Sequence, residues 1–329
     1  MGEKIEKELK WAVLGTGIIA NEMAQALEKM GKKLYAVANR THGKAVEFAK
    51  KYGVQKVYDK IEDMFTDKET DIIYITTPHN THIKFMIEAL KNGKHVLCEK
   101  SITLNSEELE EAVKIAKEKN LILGEAMTIF NMPLYTELSE IVNSGKLGDV
   151  RMIQVNFGSY KEYDMNNRFF NRNLAGGALL DIGVYAISIT RLFMTSKPDN
   201  VLSQVKYAPT GVDEQASIIM MNKEQQMSTI ALTLHSKQPK RVVIACEKAY
   251  IEITEYPRAD KAKIVYTETG EIEEITVGMT ANALQYELQN MEESVKTGIN
   301  KMKLEYTIDV MDIMTKLRKD WGMTYPEEE

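Results

Sequence analysis

The chain has 329 residues, which is enough to bury two hydrophobic cores, so we expect two domains. Its formal net charge at pH 7 is −6, which argues against the basic surface that nucleic-acid binding requires. It has only 2 cysteines, its initial MGEKIEKELK is too charged for a secretory signal, and no apolar run has membrane-spanning length, so we expect a cytoplasmic protein without a membrane partner.

The first predicted strand and helix are joined by a glycine-rich turn in the stretch KWAVLGTGIIANEMAQAL. Trp11–Leu14 is a short apolar run fit for a buried strand, and helical spacing of apolar residues starts at Ile18. Between them, Gly15, Gly17 and Ala20 fit the G-x-G-x-x-G/A fingerprint, whose turn and helix N-terminus accept a pyrophosphate. Taken alone, the same pattern is also compatible with an ordinary turn between a strand and a helix.

Strands and helices continue to alternate up to residue 124. The predicted strands of this part are Leu34–Ala38, Asp71–Thr76, His95–Cys98 and Leu121–Gly124. The predicted helices are His42–Tyr52, Thr81–Asn92 and Ser106–Lys119. Such alternation predicts a doubly wound, mostly parallel sheet with helices on both faces, and we assign residues 1–124 to this dinucleotide-binding domain.

The pattern changes in residues 125–329, which we assign to a second domain that binds substrate. This part begins with a predicted helix at Leu134–Asn143, a strand at Arg151–Phe157 and a helix of small residues from near Ala175. The strands that follow are Val201–Tyr207, Gln215–Met221, Met227–Leu234, Arg241–Cys246, Tyr250–Thr254, Lys263–Thr267 and Glu273–Val277, and the last helices are Ala283–Thr297 and Tyr306–Trp321. Strands in series predict a large, mostly antiparallel sheet, so the chain is expected to be an α/β protein with an α+β second domain.

Polar residues and glycines cluster at the ends of the predicted strands of the first domain. These clusters are Gly15-Thr16-Gly17, Asn39-Arg40, Thr77-Pro78-His79-Asn80, Glu99-Lys100 and Glu125-Ala126. Because ligands of an open α/β sheet bind at the carboxyl ends of its strands, this coincidence favours a bound dinucleotide over a simple turn. The candidate cofactor-binding residues are Gly15, Thr16, Gly17, Ile18, Ile19, Asn39, Arg40, Thr77, Pro78, His79, Asn80, His82, Glu99 and Lys100.

The end of the second strand bears on the choice of dinucleotide. NAD-binding domains commonly place an acid there that bonds to the ribose 2′-hydroxyl, whereas this chain has Asn39 and Arg40. Arg40 can pair with the 2′-phosphate of NADP, although an arginine in such a loop is also often simply solvated. NADP(H) is therefore the expected cofactor, with NAD as the alternative.

The segments CEKSITLNSEEL and AGGALLDIGVYAI resemble the Gfo/Idh/MocA oxidoreductase family. Together with the glycine fingerprint and the TTPHNTH loop they occur in that family's order, and the resemblance covers nearly the whole chain. It implies a Rossmann domain followed by a domain with an open sheet, whose outer face commonly mediates assembly into homodimers or larger homo-oligomers. It also implies hydride transfer between a nicotinamide ring and a carbinol or carbonyl of a sugar, a cyclic polyol or a vicinal diol.

The site residues of that family correspond to three positions of this sequence. Lys100 matches the active-site lysine, and Asp181 matches the aspartate four residues before the catalytic position. That position is Tyr185 here, as in the subgroup of glucose-fructose oxidoreductase and dimeric dihydrodiol dehydrogenase, whereas many other members have histidine. We expect Lys100 to lower the pKa of Tyr185, so that the phenol exchanges the substrate proton while Asp181 positions substrate hydroxyls.

Other interpretations of these residues remain open. Lys100 could be a solvated loop lysine, and Tyr185 a packed core aromatic. The family's usual Glu-Lys-Pro is Glu99-Lys100-Ser101 in this chain, so either the loop is held in another way or catalysis is impaired. A chain with these features could also be a non-catalytic NADP(H) sensor that acts through a protein partner, or a glycosidase that retains its NAD.

Two further arginines and two histidines lie near the predicted site in the sequence. Arg168 and Arg172 are either rim charges or contacts to the substrate. His79 and His82 have the spacing of some metal ligands, but no third ligand is indicated. We therefore expect no metal.

Overall fold

The computed structural model describes residues 8–329, which form two β-sheets. The charged start of the chain, from which we expected no secretory signal, lies mostly in residues 1–7 and so outside the described residues. Cys98 and Cys246 are both unpaired.

The first sheet has six parallel strands, as the alternation predicted. Its strands are β1 (Trp11–Leu14), β2 (Ala36–Ala38), β3 (Lys56–Val57), β4 (Ile72–Ile75), β5 (His95–Glu99) and β6 (Leu123–Ala126). Its helices are α1 (Ile18–Lys29), α2 (His42–Tyr52), α3 (Ile61–Thr66), α4 (His82–Lys91) and α5 (Ser106–Glu118). The order β3-β2-β1-β4-β5-β6 is that of a doubly wound Rossmann sheet, in which a ligand crevice forms between β1 and β4.

Two short elements of this domain escaped prediction. Strand β3 has 2 residues and helix α3 has 6, so neither is long enough to show a hydrophobic period. The domain boundary that we placed after residue 124 falls inside β6, which continues to Ala126. Every residue of β1 and β4 is buried, because a parallel sheet of this kind is covered on both faces.

The second sheet has eight strands in the order β14-β13-β12-β11-β7-β10-β9-β8. They are β7 (Val150–Gly158), β8 (Asn200–Tyr207), β9 (Asp213–Met221), β10 (Met227–Thr233), β11 (Gln238–Cys246), β12 (Ala249–Thr254), β13 (Lys261–Tyr266) and β14 (Ile272–Thr276). All of its strand pairs are antiparallel except β7 with β10, which confirms a mostly antiparallel sheet. Three helices precede or cover it, namely α6 (Thr128–Asn131), α7 (Pro133–Asn143) and α8 (Val184–Phe193).

The helix of small residues begins later than Ala175, where we had predicted its start. Ala175 and Gly177 have φ angles of 52° and 124°, which are incompatible with a right-handed helix. The helical path starts with a π-helical turn at Leu179–Gly183 and continues as α8. Single π turns within helices occur frequently at functional sites, so this turn marks a place to look for one.

The segment Arg172–Phe193, which contains the π turn and α8, has the length and composition of a membrane-spanning helix. It has 22 residues, and its most apolar window of 18 residues has a mean hydropathy of 1.3, so our expectation that no apolar run reaches this length is wrong. However, 78% of its most apolar window is buried inside the structure. In this fold the apolar part of the segment is the buried π turn and α8, which explains its composition.

The last two helices return to the first domain. Helix α9 (Ala283–Thr297) buries Leu288 in the same cluster as Trp11 of β1. The indole nitrogen of Trp11 also donates a hydrogen bond of 3.0 Å to the buried Glu292. Helix α10 (Leu304–Asp320) contacts both α5 and α8. The C-terminal part of the chain therefore completes the core of the Rossmann domain.

We expect Leu288→Ala to lower the free energy of unfolding by about 2–5 kcal/mol, because it removes a side chain that is 1% exposed from the core around Trp11. Urea unfolding followed by tryptophan fluorescence measures this loss. Gln289→Ala is the matched control on the exposed side of the same helix, and we expect it to change the stability by less than about 0.5 kcal/mol. Equal stabilities of the two variants would contradict the packing of α9 on the first sheet.

Candidate active site

A cavity of about 480 Å³ opens where the carboxyl ends of the first sheet face the second domain. Its wall includes all three predicted catalytic residues and most of the predicted cofactor-binding residues. These predicted residues are Gly17, Ile18, Ile19, Thr77, Pro78, His79, Glu99, Lys100, Asp181 and Tyr185. The wall is completed by Thr76, Arg168, Phe169, Leu174, Ala175, Gly176 and Gly177, of which only Arg168 was a candidate from the sequence.

The glycine turn leaves the N-terminus of α1 open toward this region. Gly15 has a φ of 113°, and a Cβ there would lie 2.4 Å from the Thr76 hydroxyl, so the position requires glycine. A Cβ on Gly17 would have no protein atom within 4 Å, and no side chain caps α1 at Gly17. The free N–H groups of the first helical turn therefore face open space, which fits the pyrophosphate of a dinucleotide.

The end of β2 supports the glycine turn. The Asn39 side chain donates a hydrogen bond of 2.8 Å to the Thr16 hydroxyl and accepts one of 2.8 Å from the Thr41 backbone. Arg40 is exposed beside it. Gly15, Thr16, Asn39 and Arg40 thus lie outside the cavity wall but along the same edge, and their contacts with a cofactor stay a prediction.

Asn80 does not face the cavity. Its side-chain amide bonds to the Asn173 carbonyl at 3.4 Å and to the Glu327 carboxylate at 2.5 Å. Both of these partners belong to the C-terminal half of the chain. Asn80 thus joins the two halves of the chain, and its contact with a cofactor stays a prediction.

Lys100 and Asp181 form the central ion pair of the cavity. The Lys100 ammonium donates a hydrogen bond of 2.7 Å to the Asp181 carbonyl and lies 3.3 Å from Oδ1 of the same residue. Burial by itself lowers the pKa of Lys100, but Asp181, Tyr185 and Glu99 outweigh it and raise that pKa above its ordinary value. Burial raises the pKa of Asp181, but Lys100 and Arg168 outweigh it and lower that pKa. Both groups are therefore charged at neutral pH.

The loop that carries Lys100 is held in place without the proline of the family pattern. The peptide bond between Lys100 and Ser101 is cis. The Ser101 hydroxyl donates a hydrogen bond of 2.9 Å to the carbonyl of Leu180, and a His79 ring nitrogen lies 3.0 Å from the carbonyl of Lys100. Of our two alternatives for this loop, the structure supports the one in which other contacts replace the proline.

Two buried side chains, His82 and Glu125, form hydrogen bonds with the backbone of this loop. The ring nitrogens of His82 lie 3.0 Å from the Ser101 carbonyl and 2.8 Å from the Thr77 carbonyl. Glu125 accepts a hydrogen bond of 3.1 Å from the Ile102 backbone, and burial raises the pKa of this carboxyl to about 7. We had predicted that His82 binds the cofactor, but its exposure is 0%, so it supports the loop instead. The supporting role of Glu125 was missed, although an acid within an apolar strand was a visible signal.

Asp181 is presented by the π turn at Leu179–Gly183. The buried carboxylate of Asp213 on β9 accepts a hydrogen bond of 2.6 Å from the Leu179 backbone and so fixes the start of the turn. A Cβ on Gly177 would lie 2.1 Å from Asp213, so only glycine allows this approach. The carboxylate that caps this turn therefore comes from a distant strand.

Tyr185 lies next to the ammonium of Lys100, with 4.9 Å between the nitrogen and the ring centroid. Burial raises the pKa of Tyr185 to about 12, and Lys100 offsets only part of this increase. Lys100 thus lowers the pKa of Tyr185 as we expected, but burial outweighs this effect and the net shift is upward. Tyr185 is a phenol at neutral pH, which suits a proton donor.

Glu99 completes the Rossmann side of the cavity. It accepts a hydrogen bond from the hydroxyl of Tyr74, which is 1% exposed. Burial raises the pKa of Glu99, and its contacts with Tyr74 and Lys100 oppose this increase. The Glu99 carboxyl is thus anchored to β4, at the edge of the sheet where the dinucleotide is expected.

The two arginines of the segment before the π turn have different roles. Arg168 lies in the cavity wall, 3.8 Å from the Asp181 carboxylate. Arg172 instead donates hydrogen bonds of 2.9 and 3.2 Å to the carbonyl and hydroxyl of Thr324. Of the two roles that we left open for each, Arg168 fits a ligand contact and Arg172 holds the C-terminal end of the chain.

His79 has the properties of a neutral hydrogen-bond donor. Burial, together with the nearby His82 and Lys100, lowers the pKa of His79 to about 3. Within residues 8–329, no group of at least 3 His, Cys, Asp or Glu side chains is arranged to hold a metal ion. The histidine pair therefore organises the backbone beside Lys100.

Relatives of known activity match nearly the whole chain. A trans-1,2-dihydrobenzene-1,2-diol dehydrogenase of Xenopus laevis is 30% identical over 96% of this chain and 99% of its own length. The enzyme of the same name from Homo sapiens is 26% identical, over 97% and 99% of the two chains.

Solved structures share the fold. Levoglucosan dehydrogenase in complex with NADH and levoglucosan aligns with a TM-score of 0.86 at 16% identity, covering 96% of this chain and 98% of the other. A 3-ketoreductase from Actinomadura kijaniata in complex with NADP and TDP-benzene aligns with a TM-score of 0.83 at 18% identity, covering 94% and 96%.

Family models account for most of the sequence. Residues 9–127 match an oxidoreductase family with an NAD-binding Rossmann fold, and residues 135–252 match the C-terminal domain of the same group. These matches agree with the geometry of a cavity that joins an uncapped helix N-terminus to a phenol, an ammonium and a carboxylate. The chain belongs to the GFO/IDH/MocA family of oxidoreductases.

Proposed function

We propose that this chain, an NAD(P)-dependent oxidoreductase by its family and site, uses NADP(H) to interconvert a carbinol and a carbonyl on a sugar, a cyclic polyol or a vicinal diol. The observation that carries the proposal is the convergence of Lys100, Asp181 and Tyr185 in one cavity beside the glycine turn. The dihydrodiol dehydrogenases that match the chain over nearly its full length support this substrate class.

The residues of the chain handle the proton. In the reductive direction, Tyr185 donates its phenolic proton to the carbonyl oxygen, and the ammonium of Lys100 stabilises the phenolate that remains. In the oxidative direction, the same phenolate takes the proton of the hydroxyl. Asp181 accepts hydrogen bonds from substrate hydroxyls and keeps Lys100 in place. The nicotinamide, when bound, supplies or accepts the hydride.

The preference for NADP(H) follows from the end of β2. Asn39 is neutral and is committed to the glycine turn, so no acid at this position repels a 2′-phosphate. Arg40 is exposed next to it and offers a planar, permanently charged partner for that phosphate. Among the structures with this fold, the 3-ketoreductase is complexed with NADP and levoglucosan dehydrogenase with NADH, so both cofactors suit the fold.

A catalytic role also accounts for the unusual Glu99-Lys100-Ser101 sequence better than a sensor role does. The absence of the proline was the main support for a non-catalytic NADP(H) sensor. Ser101, His79 and Glu125 now provide other contacts that fix this loop. We further propose that the protein is cytoplasmic, since its two thiols are unpaired, and that it has neither nucleic-acid nor membrane partners.

The protein acts as a homodimer, or as a larger homo-oligomer, through the outer face of its second sheet. An apolar row crosses seven of the strands in register, consisting of Met221, Met227, Met152, Ala245, Tyr250, Val265 and Ile272. Leu202 and Ile219, a cross-strand pair beside this row, are 63% and 43% exposed. Eight strands about 4.8 Å apart form a face about 34 Å wide, which is ample for the roughly 800 Å² per partner of a stable interface.

We expect Tyr185→Phe and Lys100→Met each to lower kcat by about 10²- to 10⁴-fold, because they remove the proton donor and the charge that stabilises its phenolate. A screen of sugars, inositols and vicinal diols, followed by the absorbance of NADPH, identifies the substrate and measures the loss. Tyr207→Phe is the control, since its hydroxyl bonds to the Trp321 backbone outside the cavity. Unchanged turnover in both site variants, with cofactor binding intact, would remove the proposed roles.

We expect the two reaction directions to depend differently on pH. Burial raises the pKa of Tyr185 to about 12, so the phenolate needed for oxidation becomes more abundant as the pH rises, whereas the phenol needed for reduction already predominates. The value of kcat/KM for oxidation should therefore rise between about pH 7 and 10, and that for reduction should stay nearly constant. Initial rates in both directions measure this, and an oxidation rate independent of pH would contradict it.

We expect Leu202→Lys combined with Ile219→Lys to convert the oligomer into a monomer of 37.4 kDa, because the charges would have to be buried in the sheet interface. Size-exclusion chromatography with light scattering measures the mass. Glu268→Lys, in the exposed turn between β13 and β14, is the control and should leave the assembly intact. A monomeric wild-type protein would contradict the proposed assembly.

A further inference from the structure

Two cations of the second domain surround one aromatic ring of the cavity wall. The ammonium of Lys161 lies 4.2 Å from the ring centroid of Phe169, and the guanidinium of Arg168 also lies 4.2 Å from it. Both Arg168 and Phe169 belong to the cavity wall, on the side of the second domain. The ring thus holds two positive charges near the place where a substrate would meet Tyr185.

The positive charges on this side exceed the negative charges. Lys100 and Arg168 share a single carboxylate oxygen of Asp181, at 3.3 and 3.8 Å. Among residues 8–329, no carboxylate oxygen lies within 4.0 Å of the Lys161 ammonium. Glu99, the other acid of the wall, is bonded to Tyr74 on the Rossmann side. Lys100, Arg168 and Lys161 therefore face two carboxylates, Asp181 and Glu99, of which only Asp181 is ion-paired with one of these cations.

A neighbouring lysine, Lys240, differs from Lys161 because it has a carboxylate partner of its own. Lys240 approaches the ring of Phe157 at 5.4 Å, but its ammonium is paired with Glu255 at 2.9 Å. Arg172, four residues after Arg168, is likewise satisfied by Thr324 and Glu329. Arg168 and Lys161 thus differ from the nearby cations in lacking a carboxylate of their own.

The backbone is shaped to hold Arg168 at the cavity. A Cβ on Gly176 would lie 2.7 Å from the carbonyl of Arg168 and 2.9 Å from that of Phe169. The segment can therefore approach the start of the π turn only because residue 176 is glycine. This close approach places Arg168 next to Asp181 in the cavity wall.

The lowered pKa of Lys161 agrees with an excess of positive charge around its ammonium. Burial lowers the pKa of Lys161, and the positive charges of Arg168, Lys100 and Lys240 lower it further, against the opposing effect of Asp181. A bound anion would reverse this effect.

We propose that Arg168 and Lys161 form an anion subsite, which binds a carboxylate or phosphoryl group on the sugar or polyol whose carbinol faces Tyr185. This inference rests on the proposed function and narrows its substrate class to acidic sugars and polyols. Arg168 supplies parallel N–H donors that match the two oxygens of such a group, and Lys161 supplies a point charge. Asp181 remains available for neutral hydroxyls of the same molecule.

The test compares three ligands that share one ring, namely D-glucose, D-glucuronate and D-glucose 6-phosphate. Their binding to the NADP-loaded protein is measured by calorimetry, and their oxidation by the appearance of NADPH. Wild type is compared with Arg168→Met and Lys161→Met. Arg151→Met is the control, because Arg151 is an exposed cation of β7 whose ion pairs are with Asp149 and Glu247.

We expect at least one of the two anions to bind more tightly than glucose and to have the higher kcat/KM. Arg168→Met should weaken binding of that anion by about 10- to 100-fold, as for a lost hydrogen bond to a charged group, and binding of glucose by less than about threefold. Glucuronate as the preferred ligand identifies a carboxylate, and the 6-phosphate identifies a phosphoryl group. Arg151→Met should behave as the wild type.

The outcomes separate this inference from the proposed function. Anion binding that depends on Arg168 but without turnover of any carbinol or carbonyl would support the subsite and contradict the oxidoreductase activity. Neutral sugars oxidised as well as or better than both anions, or an equal loss for all three ligands in Arg168→Met, would overturn the subsite and leave the activity standing. Weaker NADP binding in Arg168→Met would also overturn it, since the residue would then serve the cofactor.

Discussion

The active site depends on one buried ion pair between the two domains. Lys100 comes from the end of β5 in the Rossmann sheet, and Asp181 from the π turn that precedes α8. The ammonium bonds to both the carbonyl and the carboxylate of Asp181, so it fixes the backbone as well as the side chain. Because a buried charge without its partner is costly, this pair holds the carboxyl edge of the Rossmann sheet against the π turn of the second domain.

Burial and charge act in opposite directions on the catalytic phenol. The ammonium of Lys100 favours a phenolate at Tyr185, but the low polarity of the surroundings favours the phenol more strongly. The phenol therefore predominates at neutral pH. A site built in this way is prepared to donate a proton to a carbonyl, and the fraction that can act as a base grows as the pH rises.

The support for the Lys100 loop comes from parts of the chain that are far apart in sequence. Ser101 bonds to Leu180 in the second domain, and Ile102 bonds to Glu125 at the end of β6. The C-terminal helix α9 returns to pack on the first sheet and buries Leu288 against its core. The two family domains are therefore joined both by the contacts of the Lys100 loop and by the packing of α9 on the first sheet. A substitution in either domain can alter the position of the ammonium.

The sequence by itself determined the doubly wound class of the first sheet and the carboxyl edge where the cavity lies. It also predicted Lys100, Asp181 and Tyr185 as the reactive side chains, and the structure brings these three residues into one cavity wall. It could do so because hydrophobic periods and glycine turns are local signals, and because the family motifs keep their order along the chain. Tertiary structure alone decided the protonation of Tyr185, the burial of His82, the different roles of Arg168 and Arg172, and the return of α9 to the first core. These properties depend on which distant groups surround a side chain and on how much water they exclude, and neither quantity is encoded in local spacing.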